Sequence, residues 1–170
     1  SPDYQKQMPL FNIYCHHLLN YHNQSLFKYI YPVKGMTYKF MPHTADVKIQ
    51  ASGNTLEEAF SSSAEALKET IAGKIKINEK IKKDIIIQGR DNESLLYNFL
   101  EEFLYLLDAE DFILSKIEKI KIINNQLKAT ITGDKALNYK FNNNVKAVTY
   151  NDMFIKNEKN KFICQFVLDV

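Results

Sequence analysis

The chain has 170 residues, 45% hydrophobic and 25% charged, with a net charge of +2 at pH 7. That length and balance suit one globular domain able to fold without disulfides or a structural metal. They exclude a disulfide framework, because the two cysteines, Cys15 and Cys164, are far apart with no C-x-x-C; a transmembrane helix, because no apolar run approaches ~18 residues; and a dedicated nucleic-acid surface, because Arg90 is the one arginine among 22 basic residues.

Residues 1–35 differ from the rest, with five tyrosines, few carboxylates and three of the four histidines. His16, His17 and Asn20 interrupt the apolar part, so it makes a poor signal peptide. Cys15, His16, His17 and His22 lack the paired spacing of a zinc site. The segment reads as an accessory extension, such as upstream sequence translated in frame. Met36 is then the natural start, and residues 36–170 form the domain.

From Met36 the pattern is regular. Residues 37–41 and 47–51 alternate as two strands around a turn at residues 42–45. Asn54 or Thr55 then caps a helix whose stripe is Leu56, Ala59, Phe60, Ala64, Leu67 and Ile71, and Gly73 ends it. Residues 83–90 form a strand around Ile85, Ile86 and Ile87. Asp91 and Asn92 cap a second apolar helix, which runs from Leu95 into the acidic end Asp108, Glu110 and Asp111. Residues 116–123 and 127–132 form a hairpin turning at Asn124 and Asn125, and residues 133–144 read as a loop. Residues 145–151, 153–156 and 161–168 alternate as three further strands. The order is ββαβα followed by a β-meander. The expected fold class is α+β: a two-layer sandwich with both helices on one face of a mostly antiparallel (mixed) sheet.

The turn Pro42-His43-Thr44-Ala45-Asp46 crowds an imidazole, a hydroxyl and a carboxylate onto one short loop. Two readings fit. These side chains hydrogen-bond local backbone as turn residues do, or Asp46 joins a hard oxygen site. In the second reading the partners lie at the chain's far end, where Asp169 and the α-carboxylate of Val170 place two more negative charges for calcium or magnesium. Lys146, alone in an apolar strand, either faces solvent or lies beside that negative site. Glu57, Glu58, Glu101 and Glu102 read as solvated helix residues.

Four segments in this order resemble the archease family: Pro42-His43-Thr44-Ala45-Asp46-Val47, Thr55-Leu56-Glu57-Glu58-Ala59-Phe60, Val145-Lys146-Ala147-Val148-Thr149-Tyr150 and Val167-Leu168-Asp169-Val170. The resemblance covers residues 36–170. It implies a small cytoplasmic protein without catalysis of its own. Such a protein activates the tRNA-splicing RNA ligase, which joins 2′,3′-cyclic phosphate or 3′-phosphate RNA ends to 5′-hydroxyl ends. It promotes guanylylation of the ligase with GTP and supports multiple turnover. It further implies a divalent cation, calcium, on Asp46 and Asp169, with the Val170 carboxylate contributing and His43 and Lys146 in support. The ligase is then the partner, with no strong direct nucleic-acid binding and no membrane. Four positions depart from the family pattern: Pro42 stands for Asp, Lys48 for Gly, Lys140–Phe141 for a basic–His pair, and Asn151 for His. From the residues alone, a stand-alone metal-dependent phosphoesterase and a general chaperone-like protein for nucleic-acid enzymes are the alternatives.

Overall fold

The computed structural model describes residues 35–41, 46–141 and 144–170, so most of the expected extension and the turn at residues 42–45 lie outside the described residues. Within them the order is β1 (Thr37–Met41), β2 (Val47–Gly53), α1 (Leu56–Ala72), β3 (Ile81–Gln88), α2 (Asn92–Glu110), β4 (Phe112–Ile123), β5 (Gln126–Lys135), a 3-10 turn at Ala136–Asn138, β6 (Ala147–Glu158) and β7 (Lys161–Asp169).

The helices begin and end where side chains can satisfy their unpaired backbone groups. Thr55 is the N-cap of α1: its hydroxyl accepts from the Glu58 amide at 3.1 Å, and the Glu58 carboxylate accepts from the Asn54 amide at 2.7 Å. Gly73 closes α1 at φ 64°, a conformation that favours glycine. Gly53 is also constrained, because a Cβ there would stand 2.5 Å from the Ala59 nitrogen, where β2 passes the first turn of α1. Asp91 caps α2 through a capping box with Ser94, whose amide and hydroxyl hold the Asp91 carboxyl below its usual pKa. Asn124 and Asn125 (φ 49° and 57°) turn the β4–β5 hairpin, and Lys159 and Asn160 (φ 51° and 62°) turn the β6–β7 hairpin.

The fold is α+β, with every strand pair antiparallel. The strands divide between two sheets, β1-β2-β7-β6 and β3-β5-β4. The last four strands are therefore two hairpins in separate sheets, where the sequence suggested one meander. β5 continues through Lys135 into a segment expected to be loop, and the strands expected at 145–151 and 153–156 are one strand, β6, with a bulge between Thr149 and Phe154. α1 packs on β2 and β4 and also on β1 and β7, while α2 packs on β6 and on β3, β4 and β5. Contact with both sheets explains why Ser61, Ser62 and Ser63 are all buried on α1. Phe60 of α1 stacks on Phe99 of α2 at 5.9 Å, and Ile49, Phe166, Leu168, Leu127 and Ile131 close the core from the sheets.

The helices also guard sheet edges. Glu101 and Glu93 of α2 accept from the Val148 and Ile155 amides of β6 at 2.7 and 3.2 Å. Glu57 of α1 accepts from the Ile122 amide of β4 at 3.2 Å. Outward-facing amides that would otherwise recruit another strand are thus satisfied within the chain. Glu57 and Glu101 are fold residues, not the solvated ones their sequence context suggested.

Candidate metal centre

β7 lies between β2 and β6, so its C-terminal end has a strand on either side. Val47 pairs with Leu168, and Ala147 pairs with Asp169. Continuing the first register by one residue sets Asp46 across from Asp169. Leu168 and Val148 are buried in the core. Strand alternation therefore turns Asp169 to the opposite face, shared with Lys48 and Val167, and Asp46 stands immediately before β2 at the same end of the sheet. Directly opposed residues on one face have Cβ atoms about 5 Å apart, close enough for two carboxylates to share one cation.

Lys146 holds the chain end beside them. Its backbone amide donates to the Asp169 carbonyl at 2.8 Å, and its ammonium donates to a Val170 carboxyl-terminal oxygen at 3.1 Å. The structure thus gathers Asp46, Asp169, Val170 and Lys146 at one end of the four-stranded sheet. His43 lies outside the described residues. Among the described residues no group of three or more His, Cys, Asp or Glu side chains is placed to hold a metal ion, and the acidic groups at this end are two aspartates and the Val170 carboxylate. All are hard oxygen donors, the chemistry that calcium and magnesium select.

The profile of the archease protein family matches residues 38–170. The chain belongs to the archease family. The archease of Pyrococcus furiosus is 42% identical over 136 residues, covering 75% of this chain and 94% of the relative. The solution structure of protein 1598 of Methanobacterium thermoautotrophicum superposes with a TM-score of 0.62 at 30% identity, over 78% of this chain and 98% of that one. A crystal structure from Thermotoga maritima, described as an archease and possible chaperone, shares the fold with a TM-score of 0.55 at 21% identity, over 75% of this chain and 93% of that one.

Lys48 lies at the start of β2, beside this end of the sheet. It is two residues from Asp46 in the chain, and its ammonium pairs with Asp152 at 2.6 Å. Asp152 sits in the β6 bulge, one residue beyond Asn151, with φ 55°. Sequence reasoning missed this pair. Its signal was the Asn151–Asp152 dipeptide, two residues that tolerate left-handed backbone, interrupting a strand pattern. The acidic end of α2 is structural as well: Glu110 pairs with Lys83 at 2.5 Å, and the Asp111 carboxylate accepts from the Leu137 amide at 2.9 Å.

Proposed function

We propose that this chain is an accessory protein of the tRNA-splicing RNA ligase, acting in the cytoplasm and without catalysis of its own. It promotes transfer of GMP from GTP to the ligase and so supports repeated joining of 2′,3′-cyclic phosphate or 3′-phosphate ends to 5′-hydroxyl ends. Asp46, Asp169 and the Val170 carboxylate would hold a divalent cation, calcium, with Lys146 and His43 in support. When bound, the cation supplies positive charge that offsets three neighbouring carboxylates and can coordinate oxygens of a partner.

The observation that carries this reading is the β2–β7 register. It pairs Val47 with Leu168, the neighbours of Asp46 in the His-Thr-Ala-Asp turn and of Asp169 in the C-terminal motif, which supports a site shared by the two aspartates. Lys146, in the third family motif, then ties down the chain end through both its amide and its ammonium. Three motifs distant in sequence share one end of one sheet, as expected of a surface that works as a unit on a partner.

The test is guanylylation of the ligase with GTP, with and without this protein, using wild type and Asp46→Asn. The expected result is stimulation by the wild type and none by a folded Asp46→Asn. Full stimulation by the variant would remove the cation from the account. Equal protection of unrelated nucleic-acid enzymes by both proteins would favour the chaperone role named for the Thermotoga maritima relative.

A further inference from the structure

Lys48, on β2, is two residues from Asp46 in the chain and lies on the diagonal from Asp169 across the β2–β7 register. Two residues along a strand is roughly 6.6 Å. A lysine's four-carbon stem lets its ammonium reach a carboxylate at that distance. Left to itself, Lys48 would therefore be an internal cation competing for the acidic pair.

The structure directs it elsewhere. The bulge in β6 sets Asp152 over the outer face, where its carboxylate takes the Lys48 ammonium at 2.6 Å. The bulge is anchored from several sides. The Asp152 carbonyl accepts from the Gln165 side-chain amide at 2.7 Å, and Gln165 in turn accepts from Gln50 at 2.7 Å. Tyr150, at the start of the bulge, stacks on Tyr97 of α2 with ring centroids 4.3 Å apart. Asp152 is thus also tied to Gln165 and, through it, to Gln50.

We propose that Asp152 is a positioning residue for the Asp46–Asp169 pair: it holds the Lys48 ammonium away from those carboxylates, so that their charge stays available to a divalent cation. This rests on the cation reading given above and adds the pair that keeps the site accessible.

The experiment is a calorimetric titration of calcium into the full chain, comparing wild type, Asp46→Asn, Asp152→Asn, Lys48→Gln and the Lys48→Gln/Asp152→Asn double variant, each checked for folding by circular dichroism. Asparagine tolerates the positive φ at position 152, and Asp152→Gly, compatible with the same backbone, is the second variant there. Asp152→Asn should weaken calcium binding by about tenfold, the effect of one ammonium charge arriving near the carboxylates. Lys48→Gln alone should stay within about twofold of wild type, and the double variant should return to that range, so the two changes do not add. Unchanged affinity in both position-152 variants would overturn the proposal. So would simple additivity, with Lys48→Gln tightening binding as much as Asp152→Asn loosens it, because that is long-range charge alone. Binding that is lost in Asp46→Asn but indifferent to position 152 defeats only this proposal, whereas absence of binding by the wild type defeats the cation reading itself.

Discussion

The Glu101 carboxylate accepts a hydrogen bond from the Val148 amide at 2.7 Å, which fixes helix α2 along the outer edge of β6, the strand just after Lys146. Replacing Glu101 with leucine leaves that amide without its acceptor. A buried or half-buried donor left unpaired costs about 1–3 kcal/mol. The expected outcome for Glu101→Leu is a lower urea midpoint, together with faster hydrogen exchange at Val148 than in the wild type. Unchanged exchange at Val148 would show that the edge is covered without the glutamate.

Asp134 is 2% exposed and accepts from the Tyr139 hydroxyl at 2.8 Å, the Lys135 amide at 2.8 Å and the Asn138 side chain at 3.2 Å. The Tyr139 hydrogen bond above all, then the Lys135 amide and the Lys80 charge, lower its pKa from 3.8 to about 2. A carboxyl whose pKa falls on folding contributes stability that is complete above its unfolded value and is lost as pH drops through the folded one. Asp134→Asn should therefore be less stable than wild type at neutral pH, and the gap should close between about pH 4 and pH 2. Urea melts across that range check it, and a gap that stays constant with pH would contradict the assignment.

Lys146 bonds the Val170 terminal oxygen at 3.1 Å. Extending the chain by a few glycines beyond Val170 moves the α-carboxylate away and leaves β7 intact. Calcium should raise the melting temperature of the original chain and not of the extended one, while both melt alike without calcium. Equal calcium stabilisation would mean that the two aspartates suffice.

Local features of the sequence revealed the helices and the β4–β5 turn, because Thr55, Gly73, Asp91, Asn124 and Asn125 act within a few residues of themselves. The division into two sheets was not legible. Alternation tells which face of a strand is apolar and is silent on which strand lies beside it. The same limit applied to the site: Asp46 and Asp169 stood out as carboxylates near strand ends, but their register comes only from β7 entering between β2 and β6. Lys48 was visible as a departure from the family pattern, yet its partner was hidden because the bulge that presents Asp152 breaks the alternation used to read β6.

The pairing of Val47 with Leu168 joins residues more than a hundred positions apart in the chain. Closing so large a loop is slow and comes after local hairpins and helices have formed. Asp46 and Asp169 thus come together only once β2 has paired with β7. A cation that needs both would act as a latch on the finished molecule, lengthening the lifetime of the native state while leaving the speed of folding where it was.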